Sequence, residues 1–280
     1  MNSKIIGIAI LIVAIGGSSA YFLTKNDSSD ISTSSSEPIY QNEKVGLVIN
    51  TITPPKGIVD IEKSYKVAST SGIGRTNLYI HWDQLEPEKG NFDWRVTDIM
   101  MKLNEKYNLK TTLYLSVINA DRLGPFPSWM GNQIIGKSLE TDTARVLDAI
   151  LSRYENIDYV IYAGDIDYHF QRASGSIPKY VEFFDGVYSE IKIKHPDVKI
   201  GNSMSLENIL NKGMEPGGTF ELTPKLEMGD FIALSYKPTD IIGDINRTPE
   251  EAMDNLKQSI EIFPSYPIAF FEVSWSTSDF

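Results

Sequence analysis

The sequence predicts an α/β protein of the TIM (β/α)8-barrel type, and three observations carry this prediction. From Lys44 onward, short apolar runs alternate with longer runs whose apolar residues recur every three or four positions. Short apolar runs are typical of buried strands and the longer ones of amphipathic helices, so their alternation indicates a parallel sheet covered by helices. No glycine-rich phosphate turn follows the first strand, which favours a barrel over a doubly wound dinucleotide-binding sheet.

Seven strands are predicted, because seven short apolar runs are bounded by turn residues or charges. They are expected at 45–51, 76–81, 111–117, 159–163, 198–201, 231–236 and 268–272. Stripes of apolar residues at helical spacing predict helices between them. These stripes are Ile58, Ile61, Tyr65 and Ala68; Val96, Ile99, Met100 and Leu103; Leu147, Ile150, Leu151 and Tyr154; Tyr180, Phe183, Phe184 and Val187; and Met253, Leu256, Ile260 and Phe263.

The helix after the sixth strand has the clearest start. Thr248 is expected as its N-cap, Pro249 as the first helical residue and Glu251 as the third, which is the capping-box pattern. The stretch 206–226 is mixed and glycine-rich, and no helix is assigned there.

Seven strands are one fewer than a closed (β/α)8 barrel contains, and such a barrel typically needs about 250 residues. The sequence ends at Phe280, soon after the last predicted strand. An open barrel would leave unpaired strand edges, which proteins usually avoid. We therefore expect a barrel that is incomplete at its C-terminus because the sequence is truncated; a missed strand or a covering partner are the alternatives.

The first 25 residues are expected to target the chain to a membrane. Lys4 precedes an uncharged, mostly apolar run at 5–24, and Lys25 follows it. This pattern fits a cleaved signal peptide, and its length fits a membrane-anchor helix equally. The serine-rich stretch 26–43 is expected to be a linker to one domain at 44–280. The protein is therefore expected outside the cytoplasm, either membrane-anchored or secreted.

Composition excludes several classes of function. The formal net charge is −11, and an acidic protein repels phosphate backbones, so no nucleic-acid partner is expected. The chain has no cysteine, which excludes disulfides, zinc–thiolate sites and a cysteine nucleophile. Its three histidines, His81, His169 and His195, do not have metal-ligand spacing. No metal and no cofactor are therefore expected.

The carboxyl ends of the predicted strands indicate where chemistry would take place, because active sites of such barrels lie there. Glu272 directly follows two phenylalanines at the end of the last strand, and Trp275 comes shortly after it. A carboxylate beside aromatic rings suits sugar chemistry, since rings stack on a pyranose while the carboxylate meets an oxocarbenium-like centre. Judged by residue type alone, a structural carboxylate paired with an arginine across the barrel opening explains Glu272 equally well.

Segment 75–94 resembles the second strand–helix unit of the clan A glycoside hydrolases, which are (β/α)8 barrels with catalytic carboxylates on the fourth and seventh strands. The shared pattern comprises Trp82, Leu85, Glu86, Pro87, Gly90, Phe92, Asp93 and Trp94. The resemblance implies that most of these residues are architectural: Glu86 and Pro87 turn the chain, and Trp94 packs against the next helix. It implies that Trp82 faces substrate.

The last strand resembles the family's seventh strand, where a glutamate is the nucleophile and a tryptophan follows three residues later. Glu272 and Trp275 occupy these positions. Tyr236 matches an aromatic residue that contacts the nucleophile or the sugar, and Trp129 is expected either in a subsite loop or as a solvent shield. The implied carbohydrate-binding residues are Trp82, His81, Trp129, Tyr236, Trp275 and Tyr168.

The fourth strand departs from the family pattern, because it ends in Gly164-Asp165 where Asn-Glu is usual. Gly164 cannot supply an amide to the sugar 2-hydroxyl. Asp165 keeps a carboxylate but is shorter by one bond, about 1.5 Å, and a displacement near 1 Å can lower the rate around a hundredfold. The resemblance implies hydrolysis of glycosidic bonds with Glu272 as nucleophile and Asp165 as acid/base.

Three alternatives stay open. A wider gap between Glu272 and Asp165 would admit a water molecule and favour inversion over retention. The barrel could also be a catalytically degenerate, surface-tethered glycan-binding protein, or a structural domain of the cell envelope.

Overall fold

The computed structural model describes residues 9–10, 40–49, 57–211, 218–238 and 247–273. The strands are β1 (Ala9–Ile10), β2 (Asn42–Leu47), β3 (Ile73–Ile80), β4 (Lys110–Asn119), β5 (Arg122–Leu123), β6 (Ile157–Gly164), β7 (Lys199–Ser205), β8 (Phe231–Tyr236) and β9 (Ile268–Val273). The α-helices are α1 (Ile58–Ser69), α2 (Trp82–Leu85), α3 (Arg95–Lys106), α4 (Lys137–Arg153), α5 (Ile166–Gln171), α6 (Ile177–Lys194), α7 (Leu206–Leu210), α8 (Thr223–Leu226) and α9 (Pro249–Ile262).

Seven strands run parallel in one curled sheet, in the order β2, β3, β4, β6, β7, β8, β9. Consecutive strands are neighbours, as expected when each crossover returns the chain to the next position. The two-residue strand β1 pairs in parallel with β9, and β5 turns back antiparallel on β4. This arrangement is a half-barrel, consistent with an incomplete TIM barrel.

The sheet curls far enough for β3 to contact β9 across its concave face. The Asn77 amide donates a hydrogen bond to the Phe271 carbonyl, with 2.6 Å between Nδ2 and O. The Tyr79 ring lies 5.7 Å from the Phe271 ring, and the Tyr114 ring stacks on Phe271 at 5.5 Å. The second and last of the seven parallel strands are therefore linked through side chains.

Apolar side chains form separate layers on the two faces of the sheet. The concave face is filled by a small cluster of residues from β4, β6, β8 and β9, with partly buried residues packed against it. That cluster comprises Tyr114, Ile161, Phe231, Ala233 and Phe271. The convex face packs on α4 and α6 in a much larger core. Successive strand residues thus alternate between the barrel interior and the helix layer.

All seven predicted strands are present, and so are the helices predicted from apolar stripes. The Thr248 capping box is confirmed, with both of its reciprocal hydrogen bonds formed. Met253, however, was wrongly placed in the buried stripe of α9: it is 51% exposed, and the buried positions are Ala252, Ser259 and Phe263. The other three predicted positions face the core: Phe263 is buried, and Leu256 and Ile260 are partly buried against it.

The predicted targeting segment lies outside the described residues apart from β1, and so does most of the predicted linker. None of the described helices has the length and apolar character needed to cross a bilayer.

Candidate active site

Four polar side chains meet at the carboxyl ends of β6, β7, β8 and β9, which together form the opening that we call the mouth. They are Asp165, Ser203, Ser235 and Glu272. The carboxyl ends of parallel strands share one edge of the sheet, so residues far apart in sequence come together there. Asp165 and Glu272, predicted from separate strand ends, therefore belong to one site.

The backbone of Asp165 bends its side chain back toward the barrel. Asp165 is left-handed, with φ 46° and ψ 44°, and it is the N-cap residue of α5. This conformation costs most non-glycine residues roughly 1–2 kcal/mol, and aspartate tolerates it better than most because its side chain is short and polar. If an ordinary strand-to-helix turn is assumed at this position, the direction of the Asp165 side chain toward the barrel is not predicted.

Two serine hydroxyls hold the Asp165 carboxylate. Ser235 donates to Oδ1 at 2.7 Å, and Ser203 donates to the same oxygen at 3.1 Å. Burial raises the pKa of Asp165 above its usual value, and the charge of Glu272 adds to this rise. The hydrogen bonds from both serines and the charge of Lys237 act in the opposite direction. The net result favours the protonated carboxyl more than in water.

Glu272 faces the barrel interior because the register of β9 shifts. Phe270 packs in the helix-side core and Phe271 in the inner cluster, so strict alternation would turn Glu272 toward the helices. Leu234 pairs with Phe270, but the next residue, Ser235, pairs with Glu272 instead of Phe271. Such irregularities commonly redirect a side chain near an active site.

Two groups contact the Glu272 carboxylate. The Lys237 ammonium lies 2.9 Å from Oε1, and the Tyr79 phenol forms a hydrogen bond with the carboxylate. Asp165 binds Ser235, and Ser235 is the register partner of Glu272 on the neighbouring strand. Neighbouring strands lie about 4.8 Å apart. The backbone of Ser235, whose hydroxyl binds Asp165, is therefore one strand spacing from the backbone of Glu272. The charges of both carboxylates act on Tyr79 and on Tyr114.

Tyr114 explains why glycine precedes Asp165. A Cβ atom on Gly164 would lie 2.3 Å from the Tyr114 phenol oxygen, which is far inside contact distance. That phenol donates to the Ile118 carbonyl at 3.1 Å, and its ring is held against Phe271. Tyr114 therefore occupies the space that an asparagine side chain at position 164 would need.

Asp167 is buried and structural. Its carboxylate accepts hydrogen bonds from the Ser205 backbone at 2.9 Å, the Asn208 amide at 2.9 Å and the Thr219 hydroxyl at 2.8 Å. Burial raises the pKa of Asp167 to about 6. Its three partners lie at the end of β7 and after it, so Asp167 fixes the segments on that side of the mouth.

Two residues predicted to meet carbohydrate face elsewhere. Trp82 is fully buried, its indole N–H donates to Glu86 at 2.9 Å, and its ring packs edge-on against Phe126. Tyr236 is buried on the helix side of β8, where its phenol oxygen accepts from the Asn255 amide at 3.0 Å. Both predictions are corrected: Trp82 sits within a helical turn instead of at the strand end, and Tyr236 follows inward-facing Ser235.

The motif around Trp82 is architectural, as the resemblance implied for most of it. The Glu86 carboxylate is buried, accepts from the Gly90 backbone at 2.6 Å and pairs with Arg145 of α4 at 2.7 Å. Trp129 donates its indole N–H to the Glu86 carbonyl at 3.1 Å, and the Arg145 guanidinium lies over its ring. Trp129 thus covers the Glu86–Arg145 pair, which fits the solvent-shield alternative.

The two other predicted binding residues that the structure describes are at or near the mouth. His81 is exposed at the end of β3, where it caps α2. Tyr168 is 40% exposed on α5 and hydrogen-bonds with the Ser205 side chain. Trp275 lies outside the described residues. Within the described ranges, no group of three or more His, Asp or Glu side chains is arranged to hold a metal ion.

Sequence reasoning missed Tyr79, Ser203, Ser235 and Lys237. All four lie near the carboxyl ends of their strands or directly after them. Side chains alternate between the two faces of a strand, and this alternation could have identified the two serines. No local pattern pointed to Lys237, because its partner is on another strand.

A cavity of about 130 Å³ lies at the opposite end of the barrel, away from both carboxylates. It is lined by residues near the strand starts, including Arg75, Asn77, Tyr159, Phe231 and Pro267. Arg75 is already paired with both oxygens of Asp158, at 2.6 and 2.8 Å. Neither Asp165 nor Glu272 lines this cavity.

Comparisons with solved structures agree with the barrel. The apo structure of a β-glucosidase named 1317 superposes with a TM-score of 0.59 at 13% identity, covering 79% of this chain and 69% of that one. The β-glycosidase BGL167 gives a TM-score of 0.58 at 11% identity, covering 78% and 67%. An exo-β-1,4-mannosidase from Opitutaceae bacterium strain TAV5 gives 0.56 at 12% identity, covering 77% and 41%.

The chain also spans 46% of a GH5_18 structure from Bifidobacterium longum, at a TM-score of 0.49. No family model and no curated protein matches the sequence. At these identities the likeness concerns the fold: the chain has the (β/α)-barrel architecture of glycoside hydrolases and covers part of their length.

Proposed function

We propose that this chain hydrolyses glycosidic bonds in an extracytoplasmic glycan, with Glu272 as nucleophile and Asp165 as acid/base. The observation that carries the proposal is that these two carboxyl groups lie at one mouth, at the ends of the fourth and seventh parallel strands, where Ser235 binds Asp165 and is the register partner of Glu272. The fold shared with glycosidases supports it. The extracytoplasmic location rests on the apolar segment at 5–24.

In the first half of the reaction, a Glu272 carboxylate oxygen attacks the anomeric carbon. The bond from that carbon to the leaving oxygen breaks with its electron pair, and Asp165 donates its proton to that oxygen. The sugar is then held as an ester of Glu272, and Asp165 is ionised. Burial favours the protonated form of Asp165, which suits a general acid.

In the second half, a water molecule attacks the anomeric carbon and gives its proton to Asp165. The ester bond breaks with its electron pair returning to Glu272, so both carboxyl groups regain their starting states. This sequence retains the anomeric configuration. Product configuration, observed by proton NMR before mutarotation, separates it from inversion.

The activity is tested with a panel of aryl glycosides and oligosaccharides on the wild type and on Glu272→Gln. We expect turnover of at least one substrate class and a loss of more than a thousandfold in the variant, because loss of the nucleophile removes the covalent path. The matched control is Glu261→Gln, which removes an exposed carboxylate from α9 and should keep wild-type rates.

The non-enzymatic alternative is a glycan-binding barrel, and two observations favour it. Asp165 Oδ1 is engaged by two serines, and Gly164 offers no side chain to the sugar. If the wild type is as inert as Glu272→Gln across the panel while both bind glycans, the hydrolase proposal fails and the binding function replaces it. If neither binds any sugar, a structural role in the cell envelope is favoured.

A further inference from the structure

Lys237 places a positive charge beside the Glu272 carboxylate. It follows directly after β8, and its ammonium lies 2.9 Å from Glu272 Oε1. The lysine side chain is 47% exposed and that of Glu272 is 28% exposed, so solvent partly screens the pair. Among the described residues, no other cation is paired with either carboxylate.

The groups that face Asp165 set its charge together. They are Tyr79 on β3, Tyr114 on β4, Ser203 on β7, Ser235 and Lys237 at β8, Glu272 on β9, and Asp167 and Tyr168 on its own helix. The Lys237 charge lowers the pKa of Asp165, whereas the Glu272 charge raises it. In the resting site these two effects on the pKa of Asp165 oppose each other.

This opposition ends when Glu272 loses its charge. In the proposed mechanism Glu272 becomes a neutral ester after the first half of the reaction. Its effect on Asp165 then disappears, while that of Lys237 persists. Asp165 is thus biased toward the protonated acid when it must donate a proton, and toward the ionised base when it must accept one from water.

We propose that Lys237 is a positioning residue for the Glu272 carboxylate and that it acts on Asp165 through its charge. Its ammonium holds the Glu272 carboxylate by Oε1, and its charge favours ionised Asp165 during hydrolysis of the ester. The inference rests on the proposed function for its catalytic consequence. Its electrostatic part concerns only residues of this chain and is measurable without turnover.

The experiment compares Lys237→Met and Lys237→Arg with the wild type. Lys257→Met is the matched control, because it removes the same charge from the exposed side of α9. The Asp165 carboxyl is titrated by carbon-13 NMR in aspartate-labelled protein, with Asp165→Asn used to assign its signal. We expect the Asp165 titration midpoint to rise in Lys237→Met, to return to near the wild-type value in Lys237→Arg, and to be unchanged in Lys257→Met.

Kinetics add the catalytic consequence. With an aryl glycoside that has a good leaving group, ester hydrolysis limits turnover, so Lys237→Met should lower kcat roughly tenfold, a fraction of the 10²–10⁴ that general base catalysis supplies. KM should fall as well, because the ester accumulates further than in the wild type. A merely structural role would not produce the fall in KM together with the rescue by arginine.

Two results would overturn the inference: an Asp165 midpoint that does not move in Lys237→Met, or one that moves but is not restored by arginine. A wild type that turns over no substrate refutes the proposed function alone, and the titration then still decides the role of Lys237. An active wild type whose kcat is indifferent to Lys237→Met refutes the catalytic part of the inference and leaves the hydrolase proposal intact.

Discussion

Gly164→Ala tests whether Tyr114 excludes every side chain beside Asp165. The added Cβ would lie 2.3 Å from the Tyr114 phenol oxygen and 2.7 and 2.9 Å from two ring carbons. The ring cannot easily withdraw, because it is buried, stacks on Phe271 and donates to the Ile118 carbonyl. Extra methyl groups in a filled core typically cost about 1–3 kcal/mol, and we expect the variant to lose this much stability.

The assay is thermal unfolding by circular dichroism together with the urea midpoint. One kcal/mol corresponds to roughly 2–4 °C in a chain of this size, so the melting temperature should fall by several degrees. Gly175→Ala is the matched control, because no atom lies within 4 Å of its added Cβ. It should be neutral or stabilising by up to about 1 kcal/mol, since alanine restricts the unfolded chain more than glycine does.

A double variant isolates the contact with Tyr114. Tyr114→Ala alone should cost about 3–5 kcal/mol through the cavity that it leaves. In that background Gly164→Ala should cost little, which gives a coupling of about 1–3 kcal/mol between the two positions. The reasoning is refuted if Gly164→Ala is as mild as the Gly175 control, or if its cost persists without the tyrosine ring.

Two further predictions concern buried carboxylates. Burial raises the pKa of Asp167 from 3.8 to about 6. The stability that its protonated carboxyl contributes is therefore complete below about pH 4 and is lost as pH rises through 6, roughly 3 kcal/mol in all. The loss of urea stability between pH 4 and pH 7 should therefore shrink in Asp167→Asn, and an unchanged pH dependence would contradict this. Glu86→Gln breaks a buried pair with Arg145 and should cost about 3 kcal/mol in urea unfolding, the lower end of the usual range because Arg145 is one-third exposed. Asp93→Asn, whose partner is exposed, should cost under about 1 kcal/mol, and equal effects of the two variants would refute the assignment.

The sequence predicts the strands and helices well because each carries its own apolar pattern. The runs at 111–117 and 231–236 are apolar enough to be strands in any context, and the Thr248 capping box is a local signal. The error at Met253 concerns one position: the helix exists, but the angle at which α9 meets the sheet buries Ala252 and Ser259 and leaves Met253 exposed. That angle depends on packing and cannot be read from a single helix.

The direction of side chains at the mouth was harder to predict, for two different reasons. For Tyr236 the information was available, because Ser235 and Tyr236 must face opposite sides of β8, and attention to this alternation would have placed the tyrosine among the helices. For Glu272 the information was not available in the sequence. Alternation from Phe271 predicts that Glu272 faces outward, and only the register shift against β8 turns it inward.

The contacts that define the site join residues far apart in sequence, which explains why local patterns do not show them. Tyr114 and Gly164 complement each other across fifty residues, and neither is unusual in its own strand. The departure from Asn-Glu at positions 164 and 165 therefore has a physical basis in a neighbouring strand. Once the Tyr114 ring fills the space beside position 164, only glycine fits there.

The left-handed backbone of Asp165 then directs its short side chain to the serines. A glutamate in the same conformation would extend the carboxyl group one bond further, about 1.5 Å, past the position where both hydroxyls donate to one oxygen. The aspartate, its two serines and the bulky tyrosine thus form one mutually adapted set, in which the length of the acid matches the donors that hold it. This matching makes the shorter residue part of the geometry of the mouth.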